Sequence, residues 1–129
     1  SNVSKGYADS LFKKEEARPY HEISQIMAGL KGNVCIDLRM GFNSVADNYY
    51  RIREVYETFY LQEQSNRIIY NKDENDSGFL EEIRNCDYFV VDYPDSALLR
   101  NKDFTINKMF IVVFDRNFQV ISTIRKTIF

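Results

Sequence analysis

Residues 33–62 read NVCIDLRMGFNSVADNYYRIREVYETFYLQ. Val34-Cys35-Ile36-Asp37-Leu38 is a short, mostly apolar run between a glycine-containing turn and Gly41, the pattern of a strand covered on both faces. Such a strand belongs in the middle of a sheet. After it, Val45, Tyr49, Ile52, Val55, Tyr56, Phe59 and Tyr60 recur at helical spacing, with Asp47, Asn48, Arg51, Arg53, Glu54 and Glu57 on the opposite face. Asn43 or Ser44 can accept a hydrogen bond from an orphan amide of the first turn, and Ser44 with Asp47 approximates a capping box. Strand, turn and amphipathic helix together open an α/β domain.

Working outward, the first 19 residues are polar and charged, with a weak helical pattern through Tyr7, Leu11 and Phe12 that stops before Pro19; they predict an arm or a short helix. From Tyr20 to Leu30 the spacing of Ile23, Ile26, Met27 and Leu30 predicts a helical turn that Gly29 and Gly32 end. Downstream, Arg67 to Tyr70 reads as a second strand and Asn71 to Ser77 as a loop. Ser77 caps a short helix carrying Phe79, Leu80 and Ile83 on one face. Tyr88 to Val91 is a third strand, closed by the turn formers in Asp92-Tyr93-Pro94-Asp95-Ser96. Met109 to Phe114 and Gln119 to Ile124 flank Asp115 to Phe118, a connection suited to a hairpin. Helices between strands imply parallel crossovers, and the hairpin adds antiparallel strands. The expectation is one α/β domain over residues 20–129, with a mixed central sheet of four or five strands and flanking helices.

Composition narrows the function. The 129 residues suffice for one apolar core, and 9 Tyr and 10 Phe supply large side chains for it. A net charge of -2, with no basic run longer than Lys13-Lys14, gives no general reason to bind a polyanion, so nucleic acid is set aside. The longest apolar stretches fall far short of the roughly 20 residues of a membrane span. Ser1-Asn2 is the kind of scar that a cleaved expression tag leaves, so the amino terminus says nothing of localisation. With one His and two Cys in the chain, and no metal-ligand spacing, no metal and no cofactor are expected. Cys35 and Cys86 are expected to be buried, inert thiols, with a structural disulfide as the alternative if their α-carbons lie within about 7 Å.

Several of these segments resemble the thioredoxin fold, in particular the thiol-disulfide oxidoreductases and redoxins of the bacterial cell envelope. Leu30-Lys31-Gly32-Asn33 looks like the family's "L-K-G-K", and Val34 to Leu38 like its "V-L-L-D-F" strand. Asp37 to Phe42 falls on "D-F-W-A-S-W", and Val112 to Val120 resembles the hairpin "F-L-I-D-x-x-G-x-V". The resemblance implies a three-layer α/β sandwich in a periplasmic or envelope-anchored protein; a cytoplasmic location stays open. It also places Asn43-Ser44-Val45-Ala46 where the family carries C-x-x-C, and Met109 at its cis-proline. Disulfide exchange needs a low-pKa thiolate at the helix start and a resolving thiol beside it. Asn43 and Ala46 supply neither, so the resemblance implies a redox-inactive binding or structural module whose partner is an unspecified protein or small ligand.

The alternative lies at the strand ends, where open α/β sheets place ligand sites. Asp37, Arg39, Asp92 and Asp95 could line a cleft of a small hydrolytic or nucleotide-processing enzyme. Against it, the chain has no glycine-rich phosphate loop. Ser44 reads as a cap rather than a nucleophile. His21, the one candidate base, reads as a surface residue that could instead pair with Asp37 or Asp92. A third expectation is a homodimer contact through Ala97 to Lys108 and an aromatic surface; Tyr49, Tyr50, Tyr56 and Tyr60 read mainly as core.

Overall fold

The computed structural model describes residues 14–39, 68–71 and 77–126. The amphipathic helix expected after Gly41 and the turn Asn43-Ser44-Val45-Ala46 lie outside these residues, as do Tyr49, Tyr50, Tyr56 and Tyr60. In chain order the elements are helix α1 (Lys14–Ala28), strands β1 (Val34–Asp37) and β2 (Ile68–Tyr70), helix α2 (Ser77–Glu82) and a 3-10 turn (Ile83–Asn85). Strand β3 (Tyr88–Val91), a second 3-10 turn (Ala97–Leu99) and strands β4 (Phe110–Asp115) and β5 (Val120–Arg125) complete them.

The five strands form one mixed sheet in the order β2-β1-β3-β4-β5. β1 pairs in parallel with β2 and with β3, while β3 with β4 and β4 with β5 pair antiparallel. The expected mixed sheet, central first strand and carboxy-terminal hairpin are all present. Because side chains alternate along a strand, the apolar runs serve two cores at once. Val34, Ile36, Val90, Ile111 and Val113 point to the face covered by Ile23 and Met27 of α1. Cys35, Phe89, Val91, Val112 and Phe114 point to the other, where Phe79 of α2 and Leu98 and Leu99 of the second 3-10 turn cover them. All four residues of β1 are buried, which is why its sequence does not alternate.

Three local expectations need correction. The pattern through Tyr7, Leu11 and Phe12 lies outside the described residues, but the break expected at Pro19 is absent, since α1 runs through it. Pro19 forfeits one backbone bond. The helix is held by tertiary contacts: Ile23 and Met27 are fully buried, and Arg18 donates to the Arg125 carbonyl of β5 at 2.9 Å and to Glu22 at 3.0 Å. Leu80, expected on the apolar face of the short helix, is 42% exposed, and only Phe79 of that helix is buried. Phe79 and Ile83, four residues apart, pack on the same core, and Leu80, one residue after Phe79, is turned about 100° around the helix from it.

The third correction concerns the cysteines. They are not thiols: Cys35 of β1 and Cys86, just before β3, form a disulfide with α-carbons 5.9 Å apart. Parallel pairing sets Cys35 opposite Phe89 and brings the approach to β3 under the same face of the sheet. Both residues are buried, at 0% and 1% exposure. Gly32 prepares this junction. Its φ is 145°, and a β-carbon there would come within 2.5 Å of Asp87 Oδ2, which accepts the Asn33 amide at 2.9 Å.

Candidate functional site

Three parallel strands end side by side, and each end carries a polar residue: Asp37 on β1, Asn71 after β2 and Asp92 after β3. All three are buried. The chain leaves β1 for β2 on one side and returns to β3 on the other, so the winding of the sheet reverses between β1 and β3. Open α/β sheets form their ligand crevices at such a reversal, outside the carboxyl ends of the strands.

Here side chains of the protein itself meet at the strand ends. Asp37 Oδ2 accepts from the Tyr93 hydroxyl at 2.7 Å and from the Ser96 hydroxyl at 2.6 Å, and Asp37 Oδ1 lies 3.2 Å from Arg39 Nη1. Ser96 also caps its 3-10 turn by accepting the Leu98 amide. Asp92 Oδ1 accepts the Arg39 amide at 2.6 Å. Lys126 Nζ, arriving from the end of β5, donates to the Asp92 carbonyl at 2.5 Å and lies 3.4 Å from Asp92 Oδ2. Arg39 joins all three strand ends, since its guanidinium donates to the carbonyls of Leu38 at 3.1 Å and Asn71 at 3.4 Å. Its guanidinium carbon sits 5.3 Å from the centre of the Tyr93 ring.

Two carboxylates thus face two cations. Burial raises the pKa of Asp92 to about 6, and the attraction of Lys126 and the Arg39 amide offsets only part of that rise. Burial, and then the hydrogen bond to Asp37, push the Tyr93 phenol upward, so it remains a donor. Among the described residues four buried side-chain atoms make no hydrogen bond: Asp37 Oδ1, Arg39 Nη2, Asn71 Oδ1 and Asp92 Oδ2. Among the described residues no group of three or more His, Cys, Asp or Glu side chains is placed to hold a metal ion. A cation between Asp37 and Asp92 would have to displace Arg39 or Lys126.

Of the residues expected at the strand ends, Asp37, Arg39 and Asp92 come together, whereas Asp95 lies exposed in the turn. Tyr93 and Ser96 belong to the turn Asp92 to Ser96 expected at the strand end, though neither was singled out; Asn71 and Lys126 were not foreseen. Met109 lies in the turn before β4, at the same end of the sheet; its carbonyl accepts the Lys126 amide at 2.8 Å, and its own amide donates to Asn107 Oδ1 at 2.8 Å. The peptide bonds of the described residues are all trans. His21 is half-buried on α1. Within the segment Ala97 to Lys108, Leu98, Leu99 and Ile106 are buried in the core of their own chain.

No family model matches the chain, and neither a curated protein nor a solved structure is significantly similar to it. Among the described residues no helix is long and apolar enough to cross a membrane.

Proposed function

We propose that this chain is a thioredoxin-like binding or structural module of the bacterial cell envelope that does not carry out thiol-disulfide exchange. The observation that carries the proposal is the fate of its cysteines. The sequence holds two, and both are consumed in a buried disulfide between β1 and the approach to β3. An exchanging cysteine must be an accessible thiolate, and neither sulfur meets that condition. A disulfide of this kind persists in oxidising compartments, which supports a periplasmic or envelope location. The test is insulin reduction in the presence of dithiothreitol. The expected result is precipitation at the uncatalysed rate, and robust turnover would overturn the proposal.

A second reading is favoured by the convergence of Asp37 and Asp92 at the reversal of the sheet: a small hydrolytic or nucleotide-processing enzyme using strand-end carboxylates. The pairing of each carboxylate with a cation, Asp37 with Arg39 and Asp92 with Lys126, weighs against it, because carboxylates paired in this way tie strand ends together without any ligand. Thermal shift with divalent metals and nucleotides separates the two. Stabilisation that disappears in Asp92→Asn would favour the enzyme; an unchanged melting temperature supports the module.

A further inference from the structure

At the opposite end of the sheet, near the start of β3, a groove of about 440 Å³ opens between the first 3-10 turn, the second 3-10 turn and the β4–β5 hairpin. Its floor is apolar, lined by Phe89, Leu98 and Phe118 together with Cys86. Its rim is cationic: Arg84, Arg100, Lys102 and Arg116 line it, and among the described residues no carboxylate does. In a chain with 19 acidic and 17 basic residues, four basic side chains around one apolar floor run against the overall balance. Arg116 is the most engaged of them, 3.8 Å from Asp87 and donating to the Cys86 carbonyl at 3.4 Å.

A second observation points to the same place. Phe118 has a φ of 61°, in the left-handed region that a bulky side chain rarely takes. Its ring stacks on Phe89 and Phe114 with centroids 6.2 and 5.0 Å apart, and Lys102 Nζ lies 4.9 Å from its centre. Glycine would satisfy this turn without strain, but would leave the groove without its aromatic wall. Backbone strain of this sort collects at ligand sites.

We propose that this groove binds a small amphiphilic anion, a molecule with an aromatic or aliphatic body and a carboxylate, sulfonate or phosphate group. The apolar floor would desolvate the body, and the rim would supply charge-assisted hydrogen bonds to the acidic group. The volume lies within the range of small-molecule sites, roughly 300–1,000 Å³. This ligand class goes beyond the module proposed above and is carried by the aromatic floor and the cationic rim rather than by the disulfide, so loss of one leaves the other standing.

The test uses the folded chain and 8-anilinonaphthalene-1-sulfonate as the probe, with the uncharged N-phenyl-1-naphthylamine as its counterpart, both followed by fluorescence titration. A near-ultraviolet tyrosine signal that stays native throughout excludes binding to a loosened core. The expected result is saturable binding of one sulfonate per chain, with the uncharged compound at least tenfold weaker. The rim double substitution Arg100→Glu with Lys102→Glu, both at exposed positions, lowers sulfonate affinity at least tenfold. A single charge reversal, Lys108→Glu, at an exposed position outside the groove alters affinity less than twofold. Absence of saturable binding, equal affinity for the uncharged compound or indifference to the rim substitution would each overturn the proposal; the first two are read on the unsubstituted chain.

Discussion

Replacing Phe118 by alanine and, separately, by glycine isolates the strain in the β4–β5 turn. The Phe118 amide donates to the Asp115 carbonyl at 3.0 Å, and Asp115 Oδ1 accepts the amides of Asn117 and Gln119 at 2.9 and 3.0 Å. That scaffold does not involve the Phe118 side chain and fixes its backbone at φ 61° in either variant. Both variants lose the ring, which stacks on Phe89 and Phe114 and meets Phe104 at a tilt. For a half-buried aromatic this loss costs about 2 kcal/mol, roughly half the fully buried value. Alanine keeps the left-handed penalty of about 1–2 kcal/mol. Glycine escapes it but has about 0.5–1 kcal/mol more chain entropy to lose on folding. Glycine should therefore be the more stable variant, by about 0.5–1 kcal/mol. Urea unfolding followed by circular dichroism measures the difference. An alanine variant more stable than the glycine variant by about 0.5–1 kcal/mol, the entropy cost of glycine alone, would show that the turn stores no strain at Phe118.

Other consequences are open to measurement. Replacing Cys35 and Cys86 together by alanine removes a crosslink with a sequence separation of 51, worth about 4 kcal/mol in the chain-entropy account; a calorimetric melting temperature unchanged by the substitution would contradict the buried disulfide. The folded-state pKa of Asp92 stands above its unfolded value, at about 6 against 3.8. The native state therefore holds that proton more tightly, and the contribution of Asp92 to stability falls as pH rises through that window, by about 3 kcal/mol. Asp92→Asn should remove this slope, seen as a difference between the two stability-against-pH curves from pH 4 to 7; parallel curves would exclude it. Gly32→Ala meets Asp87 at φ 145° and should cost about 1–3 kcal/mol in denaturant unfolding, whereas Gly29→Ala, whose nearest neighbour would be 3.6 Å away, should not destabilise.

Much of the sheet was legible because apolar runs such as Val34 to Leu38 and Tyr88 to Val91 have no alternative to burial. The strand-end site was half legible. Asp37, Arg39 and Asp92 are marked by their places next to buried strands, but Lys126 reaches Asp92 from 34 residues away, and only the β4–β5 pairing brings it there. Tyr93 and Ser96 look like ordinary turn residues until the segment after β3 folds back over Asp37. The disulfide was an open alternative, because the closeness of Cys35 and Cys86 depends on β1 pairing with β3, and strand order is not written in either strand. Pro19 was given its usual helix-ending weight, which the burial of Ile23 and Met27 outweighs. The cationic groove left no trace, since Arg84, Arg100, Lys102 and Arg116 form no run and meet only through tertiary structure. Phe118 did leave one: it stands where the hairpin motif "F-L-I-D-x-x-G-x-V" carries glycine, and its φ is positive.

The link between Cys35 and Cys86 turns the intervening stretch into a closed covalent ring. A protease that cuts once inside that ring releases nothing. The product gains the mass of one water, keeps both fragments attached, and separates into two bands only after reduction. Comparing nicked material with and without reductant therefore reports, from a gel alone, whether the crosslink has formed in a given preparation.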